Sequence, residues 1–285
     1  MQLHRTKTGI AALAALALLP ATALAATVTG DDGPNRLIGT RDADTIAAKG
    51  GPDRVRGLAG ADGIDGGAGD DRLFGNAGDD TIVGVSGNDR IWGNRGDDTL
   101  RGDAPGVGDR TSYDRIWAGP GNDKVFGGDS RDRLYGGAGD DEQSGQGGRD
   151  RMAGGPGNDV QDGGAGDDLI FANRGADTSR GGDGDDVLWA LARADVAAPG
   201  VDTLDGGAGD DRFRTRDGEA DVITCGPGRD RAWLDTVDVI ADATPANPQG
   251  SCEIVRRSEP RQGGDRTEEA ESAPTAERDE GRPPS

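Results

Sequence analysis

Large aliphatic residues are scarce in this 285-residue chain. Leu, Ile, Val and Phe number only 45, about 16%, where a highly charged chain below roughly 20% is normally read as disordered. Histidine is limited to His4, which leaves no Ser-His or zinc-histidine chemistry once the N-terminus is removed. Cysteine appears only as Cys225 and Cys252. After residue 25 no run approaches the ~20 apolar residues of a membrane span. Positive charge is short too: 32 Lys and Arg stand against 53 Asp and Glu, a net −21, which argues against nucleic acid as a partner. Glutamate is nearly missing before Cys252, where only Glu142 and Glu219 occur. A solvating acidic tail would not separate the two carboxylates so sharply. Something requires the shorter one, and it comes with 52 glycines.

The first segment is for targeting. Arg5 and Lys7 precede an apolar run from Ile10 to Leu19, and Ala23-Leu24-Ala25 fits a small-x-small cleavage site. We expect residues 1–25 to be a signal peptide and the remainder to be secreted.

The rest is largely one nine-residue unit. Gly66-Gly67-Ala68-Gly69-Asp70-Asp71-Arg72-Leu73-Phe74 is followed directly by Gly75-Asn76-Ala77-Gly78-Asp79-Asp80-Thr81-Ile82-Val83. Units start every nine residues from 30 to 93, from 109 to 181, and at 197, 206, 216 and 225, with seven-residue insertions at Gly102–Gly108 and Ala190–Val196. The sixth position is Asp in 20 of 21 units. The eighth is mostly aliphatic: Leu73, Ile82, Ile91, Leu100, Ile116, Val125 and Leu134. Glycine at positions one, two and four permits positive φ and close backbone approach. Aspartate at position six suits a tight turn, where Glu would overshoot. With only the middle residue of positions seven to nine facing inward, the core is a thin ladder that needs help against chain entropy.

This pattern resembles the haemolysin-type (RTX) calcium-binding repeat family over roughly residues 30–233. The resemblance implies an all-β fold, a right-handed parallel β-roll with two units per coil, each unit a six-residue turn and a three-residue strand. It also implies several Ca²⁺ ions, since calcium takes six to eight oxygens from carbonyls and carboxylates. The expected ligands are Asp71, Asp80, Asp89, Asp98, Asp123, Asp132, Asp141, Asp150, Asp159, Asp168, Asp186 and Asp211, with the backbone of Gly136 and Gly154. Same-edge pairs such as Asp71 with Asp89, and Asp141 with Asp159, would share an ion. The units Arg41–Asp44 and Arg174–Asp177 are degenerate and expected to bind weakly or not at all.

A second period of eighteen separates the two sheets. On alternate units position seven reads Arg36, Arg54, Arg72, Arg90, Arg115, Arg133 and Arg151. Position nine reads Phe74, Trp92, Trp117 and Tyr135. Both rows should face outward. Stacked Arg and rings could simply cover the sheet. Alternatively Arg72, Phe74, Arg90, Trp92, Arg115, Trp117, Arg133 and Tyr135 form a face for an extracellular anionic or sugar polymer, or for another protein. On the other sheet the inward position becomes Gln143, Gln161 and Ser179, either a polar ladder or a slipped register.

The expected organisation is residues 1–25 signal peptide, 26–233 calcium-binding roll, 234–256 a cap tied by a Cys225–Cys252 disulfide, and 257–285 a disordered tail. No room remains for a catalytic domain, so an enzyme is not expected. The leading reading is a secreted calcium-ion-binding protein that folds on Ca²⁺ outside the cell. The alternative is an extracellular adhesin or matrix protein.

Overall fold

The computed structural model describes residues 25–106, 111–190 and 200–259. The expected signal peptide up to residue 24, and the tail from 260 onward, lie outside the described residues. All regular structure in the described residues is β-strand, and no helix there is long and apolar enough to cross a membrane.

Twenty-four strands alternate strictly between two parallel sheets of twelve, so each strand pairs with the one two places along the chain. That is a β-roll with two nonapeptides per coil, as the period of eighteen required. The register keeps like over like: Arg72 pairs with Arg90, Leu73 with Ile91 and Phe74 with Trp92. We call this the arginine sheet, and its partner the threonine sheet, where Thr81 pairs with Thr99. Alternation along each strand sends position eight inward and positions seven and nine outward. Leu73, Ile91, Ile116 and Leu134 face the interior from one sheet and Ile82, Leu100 and Val125 from the other, all completely buried.

Two local features differ from expectation. Most strands are six residues long rather than three, as in Arg72–Ala77 and Thr81–Ser86. They continue through positions one to three of the next unit, and position two takes a positive φ that bends the chain toward the turn. Gly67 does so at φ 90°, but so do Asn76 at 82° and Val85 at 91°, and a β-branched residue there carries strain of order 1–3 kcal/mol. The residues at which counting begins the two insertions, moreover, belong to the units themselves. Gly102 occupies position one of the unit whose sixth residue is Asp114, and Ala190 is held in place by donating its N–H to the Arg214 carbonyl. Sheet continuity fixes both ends of a unit, so extra residues can enter only where the chain loops.

The sheets run on past residue 233. Val239–Ile240 pairs with Val222–Thr224, and Ile254–Arg257 pairs with Arg231–Leu234. The segment assigned to the cap therefore supplies the last rung of each sheet. The Cys225–Cys252 disulfide, with Cα atoms 5.2 Å apart, ties the residue after Val222–Thr224 to the turn that enters Ile254–Arg257. Closing a loop of 27 residues contributes about 3–4 kcal/mol in the chain-entropy account.

The polar ladder is in register: Gln143 pairs with Gln161, and Gln161 with Ser179. All three side chains are buried. Gln161 donates to Gln143 at 2.8 Å and accepts from the Ser179 hydroxyl at 3.0 Å. Turned over, its amide also reaches the Phe171 carbonyl and the Gly154 N–H, which is the better use of its groups. In the first orientation Gln161 links both neighbours; in the second it keeps Ser179, and the bond to Gln143 re-forms only if the Gln143 amide turns as well. Gln161→Leu should therefore cost about 1–3 kcal/mol by stranding both partners. Replacing all three with Val or Leu should be close to neutral. Thermal unfolding in saturating calcium checks the pair, and equal losses in both variants would refute this account.

Candidate metal centre

Each turn leaves its sixth residue at the edge of the roll, pointing inward. The aspartate Oδ1 atoms there form two continuous ladders. Along one edge the N–H of Asp53 donates to Asp71, Asp71 to Asp89, Asp89 to Asp114, Asp114 to Asp132 and Asp132 to Asp150, each at 2.8–2.9 Å. The series continues through Asp168, Asp186, Asp211 and Asp230. The last rung is closed by Glu253, whose longer side chain reaches the Asp230 N–H at 2.7 Å. Along the other edge the same bonds link Asp44, Asp62, Asp80, Asp98, Asp123, Asp141, Asp159 and Asp177, then Asp202, Asp221 and Asp238. The expected pairs Asp71 with Asp89 and Asp141 with Asp159 are thus neighbours, joined backbone to carboxylate.

The second carboxylate oxygen is the informative atom. In all twelve expected aspartates, from Asp71 to Asp211, Oδ2 is buried and has no hydrogen-bond partner. Its surroundings show why glycine recurs at position one. A Cβ placed on Gly66 would stand 2.7 Å from Asp71 Oδ2 and 2.9 Å from the Gly84 carbonyl oxygen. On Gly127 it would stand 2.8 Å from Asp132 Oδ2 and 3.0 Å from the Gly145 carbonyl. Gly136 and Gly154 fit the same scheme, because a Cβ on Gly136 would meet Asp141 Oδ2 and the Gly154 carbonyl. Where position one is glycine it serves space and not φ, whereas Gly67 and Gly69 at positions two and four are left-handed; Ala48, Ala118 and Ala172 take position one in other turns. Where glycine stands at position one, the cradle is a space too tight for a methyl group, walled by two acceptors and no donor. Only a proton or a cation reconciles such walls.

Among the described residues no three acidic, histidine or cysteine side chains converge on one point. Any ion would have to draw its remaining ligands from backbone carbonyls, which suits a hard, oxygen-seeking cation of flexible coordination. Electrostatics point the same way. Burial first, then neighbouring aspartates, raises the carboxyls from 3.8 to about 7 at Asp71, Asp80, Asp141 and Asp211. The value is about 8 at Asp89, Asp123 and Asp186, and about 9 at Asp150. At Asp98 and Asp132 it is about 6, and at Asp159 and Asp168 about 7. Bonds from backbone N–H groups only partly offset this.

The ladder includes residues outside the expected ligand set. Asp53, Asp62, Asp114, Asp177, Asp221 and Asp230 carry the same buried Oδ2 without a partner. Asp114 keeps the sixth-position phase across the insertion before it, and Asp177 lies in a unit whose sequence is degenerate. A second, exposed ladder at position five is also absent from the expected set. There Asn88 donates to Asp70, Asp97 to Asp79 and Asp185 to Asp167. Its signal in the sequence is the recurrent Asp or Asn of that position.

The aromatic residues of the expected binding face lie together on the arginine sheet. Phe74, Trp92, Trp117 and Tyr135 form one column with successive centroids 4.5, 5.0 and 5.8 Å apart and planes within 10° of parallel. The rings stack on one another, so both faces of Trp92 and Trp117 are covered by neighbouring rings.

No curated protein matches the chain significantly. The profile of the RTX calcium-binding nonapeptide repeat matches at residues 29–62, 38–73, 48–82, 74–104, 114–142, 144–179, 154–188, 172–197 and 196–232. These matches cover more than half of the chain and coincide with the coils whose turns carry the orphaned oxygens. By phase, fold and turn chemistry alike, the chain belongs to the RTX calcium-binding nonapeptide repeat family.

Proposed function

We propose that this is an exported protein whose function rests on Ca²⁺-dependent closure of the roll, with an ion in many of the turns and no catalytic role. The row of buried, unpartnered Oδ2 atoms facing carbonyls carries this reading. Calcium, when bound, supplies the positive charge that both walls of each cradle lack. The protein's own contribution is to hold those walls in place: Oδ1 is pinned by the neighbouring N–H, glycine keeps the space clear, and the aliphatic rungs set the spacing. The binding free energy then becomes folding free energy. Export is supported by the charged and apolar N-terminal segment and by a disulfide suited to an oxidising compartment. Extracellular calcium modules commonly work at about 0.1–1 mM.

Far-UV circular dichroism of residues 26–285 during calcium titration tests this. A coil-to-β transition with a midpoint in that range, and none with magnesium, is the expected result. Full β-structure at pH 8 without metal would overturn it.

A further inference from the structure

On the arginine sheet the charge of the molecule is locally inverted. Arg36, Arg54, Arg72, Arg90, Arg115, Arg133 and Arg151 pair rung to rung without interruption. At about 4.8 Å per rung the column is close to 30 Å long. Along its edge, position five holds Asp70 and Asn88 on one side, and Asp167, Asp185 and Asp210 on the other. In the three units between, it holds Tyr113, Arg131 and Arg149. Arg131 and Arg149 are exposed, and Arg115, Arg133 and Arg151 are half-buried beside them. The guanidinium groups of Arg115 and Arg133 lie 5.0 and 5.7 Å from the Tyr113 ring centre. Among the described residues, Arg115, Arg131, Arg133 and Arg149 have no carboxylate within ion-pair distance, although exposed Asp129 shares a turn with Arg131. Four guanidiniums without counter-ions, in a chain of net charge −21, are not explained by closure of the roll.

We infer that this stretch of the arginine sheet binds an acidic polysaccharide lying along the roll axis, anchored at Arg115, Arg131, Arg133, Arg149 and Arg151. The extended, evenly spaced column favours a linear polymer with repeating charge over a single small anion. The ring column favours an acidic sugar chain over a neutral one: with faces stacked on one another, Trp92 and Trp117 offer no platform for a sugar, so recognition falls to the guanidiniums. Duplex nucleic acid, with one charge per ~1.7 Å, is the partner most strongly repelled by the remaining acidic surface.

The test uses residues 26–285 in saturating calcium, with folding verified by circular dichroism, against hyaluronan and heparin fragments, neutral dextran and duplex DNA. The protein should bind hyaluronan or heparin in a salt-sensitive manner, and the tighter of the two identifies carboxylate or sulfate as the preferred group. Arg131→Asp with Arg149→Asp restores the acid that other units carry at position five, so the fold should persist while affinity falls more than tenfold. Lys124→Gln, on the threonine sheet, should change nothing. Unaltered binding by the double variant, no binding to either acidic polymer, or equal or tighter binding of dextran or DNA would overturn the inference.

Discussion

Stripped of metal, the chain should hold its β-structure near pH 5 and lose it as the pH rises toward about 9, the reverse of ordinary acid denaturation. The turn carboxyls have folded values raised far above 3.8, to about 8 at Asp89 and about 9 at Asp114 and Asp150, chiefly by burial. A group whose value rises on folding binds its proton more tightly in the folded state. Its stabilising effect is complete below the unfolded value and disappears as the pH passes through the folded one. A tenfold difference in proton affinity between the two states is worth about 1.4 kcal/mol. Summed over a ladder, even a fraction of these differences rivals the roughly 5–15 kcal/mol that holds an ordinary domain together. Protons and calcium thus play interchangeable roles at Oδ2, and added calcium should abolish the high-pH loss. Circular dichroism of metal-depleted protein across pH 4.5–9 measures it. Metal-free stability that increases with pH would be incompatible with this picture.

Asparagine in place of the ladder aspartates should split folding from calcium response. In Asp89→Asn with Asp114→Asn, Oδ1 can still accept the N–H groups of Asp71 and Asp89, now bonded at 2.9 and 2.8 Å. The new Nδ2 would meet the carbonyls of Gly102 and Gly127, which wall the cradles beside those Oδ2 atoms. Two buried charges disappear and two donors arrive, so metal-free stability should rise by a few kcal/mol. The calcium midpoint for those coils should move up at least tenfold. Asp89→Ala instead strands the Asp71 N–H and should lower stability by about 1–3 kcal/mol with or without calcium. Thermal unfolding at several calcium concentrations distinguishes the variants. If the asparagine pair behaves like alanine, charge is not what the cradle opposes.

Much of this fold could be read from phase alone. Leu73, Ile82 and Ile91 recur at a spacing that no helix satisfies, and Asp at position six keeps step across two insertions. The period of eighteen assigned Arg72 and Phe74 to one sheet and Thr81 to the other. What phase could not decide was set by contacts between coils. The register of Gln161 was open because glutamine suits either face, and it is the bonds to Gln143 and Ser179 that hold it inside. Counting placed a new unit after Gly108, yet sheet pairing retains Gly102 as position one, a choice invisible to a nine-residue count. The turn chemistry was half legible. Calcium ligation suggested aspartates facing each other across an ion, whereas each carboxylate spends one oxygen on the neighbouring backbone and leaves the other to a glycine carbonyl. That division of labour depends on which N–H groups the strands leave over, which no linear motif records.

The ladders also determine how the molecule would answer a mechanical load. Each described rung of the aspartate ladders bonds to a partner 17–25 residues away, and these bonds run along the axis of the roll. Tension would therefore peel coils away singly, like a spring unwinding from its terminus, each coil of eighteen residues releasing about 60 Å of slack. The covalent link between Cys225 and Cys252 shields the last rungs, so yielding would start from the opposite end.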